Sequence, residues 1–349
     1  MKIAGAAGAF PPHRYHQYVI TDTLRVHWGE KLQCPELLTR LHSRTGVDYR
    51  NFAFPLTDYE RFETWGQSNR AWMEVAEQLG EKAVDGALER AGVTRRDLDA
   101  LFVVSITGVA SPSLDARLIN RMTLRPDIKR TPIFGLGCVG GATGLTRAAD
   151  YVRAYPTQAA ALLAVEVCSL TLQRDDVSTP NLISTGLFGD GAAAVIVVGA
   201  ERPSTGPAIL GTRSVFYPDS EEIMGWDISE KGFRVVLSPK LPELIQQHLG
   251  ADLDGFLADF ALSRSDIGNW VIHTGGPKIL EAVESALGLS DHDLKLSWDS
   301  LRRHGNISSA SVLLVLEETM TSCRPEPGTL GLLAAMGPGF CSELILIQW

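Results

Sequence analysis

Residues 188–198 read FGDGAAAVIVV, and near the other end of the chain residues 336–347 read MGPGFCSELILI. Each stretch is a glycine turn feeding an apolar run of strand length, the pattern of a tight turn between two buried strands, and its occurrence twice points to an internal duplication. Working outward from the first copy, LFVVSIT, TPIFGL and AALLAVEV alternate with segments that start after glycine or small residues, as in a layered α/β sheet. Around the second copy the same logic returns. A strand, WVIH (270–273), leads to a helix predicted over 277–287, and a further helix is expected to open at Asn306, followed by the strands GLLAAM and ELILIQW. Cys138 opens the long helix of the first half as Asn306 does that of the second, so a pseudo-twofold axis would bring both helix starts to the centre. The pattern predicts an N-terminal half over 1–200 and a C-terminal half over 201–349 in one compact body. Residues 13–100 read as mostly helical, with a polar helix over 69–92 that stops at Gly92, a residue tolerant of a left-handed cap.

The chain has 349 residues, 45% of them hydrophobic and 21% charged, enough to build two core-bearing halves. A formal net charge of -9 provides no basic footprint and argues against nucleic acid or an anionic membrane as the main partner. An anionic substrate would therefore need a local basic patch. Five cysteines, scattered and odd in number, fit neither a disulfide framework nor a zinc site, and a cytoplasmic setting is expected with no metal. No apolar run approaches the roughly 18 residues of a membrane span, so stable membrane insertion is not expected.

Cys138 lies in FGLGCVGGATGL, between glycines and at a helix start. Exposed backbone N–H groups and the positive helix end favour a thiolate there, and the small neighbours let a substrate approach the sulfur. Cys34, Cys168, Cys323 and Cys341 read instead as small buried hydrophobes. His273 ends WVIH and faces a glycine-lined stretch, Thr274-Gly275-Gly276-Pro277, while Asn306 in HGNISSAS suits either a helix cap or a hydrogen-bond donor to substrate.

The ordered set GLGCVGG, FGDGAAA, HTGGP, GNISSA and MGPG resembles the type III polyketide synthases, the chalcone-synthase-like family, over nearly the whole chain. The resemblance implies a duplicated, five-layered αβαβα thiolase fold. It also implies a homodimer acting on acyl-CoA and malonyl-CoA by decarboxylative condensation, with no cofactor beyond the CoA substrates. Cys138 would be the nucleophile, held as a thiolate by His273. His273 and Asn306 would stabilise the enolate left by decarboxylation. Phe188 would guard the passage between the CoA tunnel and the cavity. By the same resemblance Ile106, Thr107, Cys168 and Thr171 line the cavity, and Ser111 reaches across the dimer interface. Arg40, Arg44 and Gly275 meet CoA, an arginine fork being suited to phosphate.

Trp226 stands where chalcone-forming members have a small residue, Thr274 replaces a proline after the histidine, and Ala335-Met336 precede the last glycine turn in place of Gly-Phe. These changes lie beside the site and bear on cavity shape. The stretch SEEIMGWDISEKGFRVVLSP resembles bacterial members that make long-chain alkylpyrones or alkylresorcinols, which implies a fatty acyl-CoA starter. The alternative is a ketoacyl synthase of the fatty-acid initiating type, which uses Cys, His and Asn on the same fold but takes carrier-bound malonate.

Overall fold

The computed structural model describes residues 1–32 and 34–349. Nine strands form one continuous sheet in the order β11-β12-β13-β8-β1-β7-β6-β4-β5, where β1 is Lys2–Ala9, β4 Ala100–Val104, β5 Lys129–Ile133, β6 Ala159–Val167, β7 Asp190–Val198, β8 Ala208–Phe216, β11 Ile267–Ile272, β12 Leu330–Gly337 and β13 Cys341–Gln348. The duplication is explicit in the pairing. β1 and β6 flank β7 antiparallel and β6 pairs β4 parallel; β8 and β12 flank β13 antiparallel and β12 pairs β11 parallel. The two sets touch edge to edge at a single register pair, Lys2↔Ala208. The remaining strands form two ribbons, β2 (His13–His16) with β3 (Tyr49–Phe52) and β9 (Met224–Ser229) with β10 (Gly232–Leu237).

Three hydrophobic clusters explain the layering. In the first, helix α3 (Trp65–Ala91) covers the outer face of the N-terminal strands, aided by α1 (Gln17–Trp28), α2 (Pro35–Ser43) and α4 (Leu114–Arg121). In the second, α5 (Gly140–Ala154) and α10 (Ser311–Thr321) are packed between the two strand sets, with no exposed apolar side to spare. In the third, α7 (Leu241–Ala258) and α8 (Pro277–Leu287) cover the outer face of the C-terminal strands, with α9 (Lys295–His304) alongside. Helix α6 (Thr179–Leu187) leads into β7. The result is the thiolase-type αβαβα stack. β6 and β7 are buried along their whole length, as strands covered on both faces must be, which is why they read as unbroken apolar runs.

Local signals set the boundaries. α3 begins at a reciprocal capping box between Thr64 and Gln67 and ends at Gly92 in the left-handed region, φ 63°, so the predicted helix over 69–92 starts a turn earlier than read. The largely helical reading of 13–100 also omitted β2 and β3. Asn306 does not open a helix: it sits in an isolated parallel bridge with Phe188, and α10 starts only at Ser311 after a short turn. Periodicity missed this because a single bridging residue has no period. The central helices approach so closely that a Cβ on Gly141 would lie 2.1 Å from the Ser309 carbonyl oxygen, which restricts position 141 to glycine.

Candidate active site

Cys138 occupies a single helical turn, Gly137–Val139, between β5 and α5, and is 5% exposed. Its Sγ lies 3.7 Å from the Ser308 hydroxyl, from the other half of the duplication. Ser308 holds a left-handed backbone, φ 44°, unusual for a residue with a side chain. Asn306 makes that conformation affordable: its Oδ1 accepts from the Ser308 N–H at 2.8 Å and from Ser311 Oγ at 3.4 Å, a side chain standing in for a backbone turn. Asn306 is thus both a cap and a donor, because its Nδ2 still points at the Gly275 carbonyl across a long 3.4 Å. Its backbone is clamped as well, accepting from Gly189 N–H at 3.0 Å and donating to Leu187 O at 2.9 Å. The preceding Gly305 has φ 70°, and a Cβ there would fall 2.5 Å from the Leu187 oxygen.

His273 follows β11 directly and its N–H donates to Ala334 O at 3.0 Å on β12. The ring is 4% exposed and neither nitrogen has a hydrogen-bond partner. Two orphaned imidazole nitrogens are costly in a folded interior, and their presence marks groups reserved for a ligand. Thr274 Oγ1, also buried, is unpartnered in the same way.

Burial governs the charge state of this pair. Desolvation pushes the Cys138 thiol up to about 11, outweighing the hydrogen bonds from Ser308 and Asn306 that favour thiolate, and the nearby Glu166 carboxylate pushes in the same direction. Desolvation alone lowers His273 to about 4. Burial thus favours the uncharged form of each group and opposes the helix-end field that favours a thiolate at Cys138. Alkylation of Cys138 by iodoacetamide in the substrate-free enzyme should rise steadily with pH from 6 to 9, since the thiolate fraction is still climbing; a plateau near neutrality would show an ion pair instead.

A chamber of about 180 Å³ opens on the sulfur, walled by Ile106, Thr107, Phe134, Cys168, Phe188 and Trp226 among others, together with Ser308 and Pro338. Behind Cys168, Phe188, Trp226 and Val235 lies a second, larger cavity of about 630 Å³, which Thr171 also lines. Trp226 and Val235 face each other in register across the β9–β10 ribbon, so this cross-strand pair forms part of the partition. Ser111 is exposed and lines neither cavity. Arg40 and Arg44, at and just beyond the end of α2, are exposed and border neither. Gly275 is brought to Asn306 through its carbonyl.

Three residues that sequence reasoning left unassigned support this site. Glu166, fully buried at the strand end beside the chamber, accepts from Ile106 N–H at 3.1 Å, Thr107 Oγ1 at 2.9 Å and Ser309 Oγ at 2.5 Å, and desolvation lifts it to about 7. Arg50, 1% exposed, donates to Phe188 O at 2.6 Å and Thr185 O at 2.7 Å, fixing the turn that carries Phe188. Asp190 in the FGDG turn accepts from Ala53 and Ser169 N–H at 2.7 and 2.8 Å. Glu166 and Asp190 show in the sequence as a lone charge inside an otherwise apolar stretch, whereas Arg50, among Asp48, Tyr49 and Asn51, carries no such mark.

Two family models match this chain: the N-terminal domain of chalcone and stilbene synthases over residues 63–202 and the C-terminal domain over 209–349. The chain is a type III polyketide synthase. A 1,3,6,8-tetrahydroxynaphthalene synthase from Streptomyces peucetius subsp. caesius is 51% identical over 99% of this chain and 93% of its own length. A phloroglucinol synthase from Pseudomonas fluorescens is 31% identical over 97% of each chain. Among solved structures, the tetrahydroxynaphthalene synthase of Streptomyces coelicolor A3(2) superposes with a TM-score of 0.95 at 31% identity, covering 100% of this chain and 99% of that one. The synthase is thus an acyltransferase-type enzyme of decarboxylative condensation with malonyl-CoA, acting on CoA thioesters without a further cofactor, and the carrier-dependent ketoacyl synthase alternative is set aside. Among the described residues no helix is long and apolar enough to cross a membrane, and no cluster of three or more metal-ligating side chains occurs.

Proposed function

We propose that this synthase assembles a short chain from malonyl-CoA units and closes it to a polyhydroxylated aromatic product, as the name of its 51% identical relative describes for that enzyme. The observation that carries the reading is the 180 Å³ chamber at Cys138, a size that suits a short polyketide and leaves little room for a fatty tail beside it. In this reading the Cys138 thiol passes its proton to His273 as sulfur attacks the starter thioester, and the imidazolium returns that proton to the departing CoA thiolate. Malonyl-CoA then loses CO2. His273 N–H and Asn306 Nδ2 donate to the enolate oxygen, and the enolate carbon attacks the Cys138 thioester, forming the new carbon–carbon bond and releasing the sulfur. Arg40, Arg44 and Gly275 serve CoA. Phe188, Ile106, Thr107, Cys168, Thr171 and Trp226 shape the space for the chain.

A second reading, a long-chain acyl-CoA starter closing to an alkylpyrone or alkylresorcinol, is favoured by the larger cavity, whose walls include Ile20, Leu24, Leu56 and Leu172. Each methylene buried there contributes about 0.8 kcal/mol. Mass spectrometry of products from malonyl-CoA alone and from a starter series up to C20 separates the two. A pentaketide aromatic from malonyl-CoA alone supports the first. Long-chain pyrone masses as the dominant product, enhanced in Trp226→Gly where the partition is thinned, would replace it with the second.

A homodimer is supported by the edge strand β5, four of whose five residues are exposed, and by Phe134 and Ile228, chamber-lining residues left 49% and 55% exposed in the single chain. A partner carrying Ser111 to that opening would close it. The five free cysteines suit a cytoplasmic setting.

A further inference from the structure

The loop that carries Asn306 is held from outside by an aromatic pair. His304, the last residue of α9, lies nearly flat on the ring of Phe10, which follows β1 directly: the ring centroids are 4.4 Å apart and the planes are inclined by 14°. The two rings come from opposite halves of the duplication. Phe10 also packs on the FGDG turn, since a Cβ on Gly191 would lie 3.2 Å from its Cδ1 and 3.1 Å from the Cδ1 of Ile307. The His304 carbonyl presses on the same turn, 2.4 Å from where a Cβ on Gly189 would stand. His304, two residues before Asn306, and Ile307, just after it, are thus seated on a surface built by the N-terminal half. Between them the Asn306 backbone makes its paired bonds to Leu187 and Gly189.

The contact uses the face of an uncharged ring. Burial pushes the His304 imidazole down to about 3, and the Arg303 and Arg14 guanidiniums push it the same way, so it is neutral near pH 7. His304 lines neither cavity, so it reaches the chemistry only through the loop it anchors. That loop leaves Asn306 little freedom. Its Oδ1 is committed to the Ser308 N–H, and a shift of 304–307 is passed on to Nδ2.

We infer that Phe10 and His304 are positioning residues for the condensation: their stack, made across the two halves, sets the Asn306 amide at the place where the enolate oxygen forms. The inference rests on the proposed role of Asn306 in stabilising that enolate. A misplacement of about 1 Å at such a donor can cost on the order of a hundredfold in rate.

Two rates on the full-length enzyme separate positioning from loss of stability: CO2 release from labelled malonyl-CoA and alkylation of Cys138 by iodoacetamide. Both are expressed per folded enzyme, taken from the amplitude of thermal unfolding. In His304→Ala, CO2 release should fall about 10- to 100-fold through kcat, with KM and Cys138 alkylation within about twofold of the parent. Phe10→Leu, which keeps an apolar side chain but loses the ring, should move the same rate in the same direction. The two changes combined should be no worse than the more severe one alone, because a single contact is removed. His304→Phe should restore CO2 release with the parental pH profile; a displaced profile would make His304 a proton-transfer group and overturn the inference. Asn306→Ala is the reference. If it slows CO2 release while His304→Ala and Phe10→Leu leave the ratio of the two rates unchanged, the positioning role is lost and the reading of Asn306 stands. If Asn306→Ala leaves that ratio unchanged, the reading of Asn306 falls and this inference with it.

Discussion

Cys138→Ala is expected to lower polyketide formation by three orders of magnitude or more, about 4 kcal/mol of transition-state stabilisation, while leaving slow decarboxylation of malonyl-CoA measurable. The two steps separate because they use different groups. Condensation needs a sulfur to hold the starter; Cys138 and Cys168 both line the chamber, and Cys138 is the one whose Sγ lies 3.7 Å from the Ser308 hydroxyl with the Asn306 side chain in reach. Decarboxylation needs donors for an enolate oxygen; in the proposed mechanism His273 and Asn306 supply them, and the substitution leaves both in place. Product analysis and release of CO2 from labelled malonyl-CoA, measured together, decide the matter. The intact protein should also gain the mass of a covalent acyl group from substrate, and Cys138→Ala should not. Product formation that survives the substitution would remove Cys138 from the reaction, whatever its surroundings.

Arg50→Met is expected to be strongly damaging for a residue outside the proposed reacting groups, with a loss of roughly 3–5 kcal/mol and a fall in Tm of roughly 5 °C. The guanidinium is 1% exposed, its donors meet Phe188 O, Thr185 O and Gln17 Oε1, and burial lowers it only to about 10, so it stays charged. Methionine fills much of the volume but leaves two carbonyls unpaired and removes the positive charge that faces Asp190. Asp190 then supplies a signature in pH. Its carboxyl is raised by desolvation from 3.8 to about 6, despite Arg50 pulling it down. A folded-state value above the unfolded one means that folding takes up a proton, so stability declines as pH rises through that window. Without Arg50 the folded value climbs further and the decline extends to higher pH. Thermal unfolding at pH 5.5 and pH 8 should therefore show a larger gap between the two conditions for the variant than for the parent. An equal gap would mean that Arg50 acts through its hydrogen bonds alone. The turn 185–189 should loosen too, and with it the Phe188–Asn306 bridge, reducing turnover in the fraction that remains folded.

The sequence by itself determined the layered α/β class, the duplication and the family, and it marked Cys138, His273 and Asn306 as the candidates for the reaction. Strands buried on both faces can be written only as unbroken apolar runs, glycine turns recur where two strands meet, and a cysteine between glycines at a helix start is recognisable in one dimension. What only the tertiary structure decided depends on contacts between residues more than a hundred positions apart. That Asn306 bridges Phe188 instead of opening a helix, that Ser308 meets Cys138, and that Arg50 holds the turn of Phe188 are all of this kind. So is the charge state of the site: the helix start around Cys138 argues for a thiolate, but the energy of removing that charge from water depends on everything packed around it, and that enclosure favours the neutral pair. The partition between the two cavities is also a tertiary result: the local ribbon pair Trp226 and Val235 forms part of it, but Cys168 and Phe188, distant in sequence, complete it.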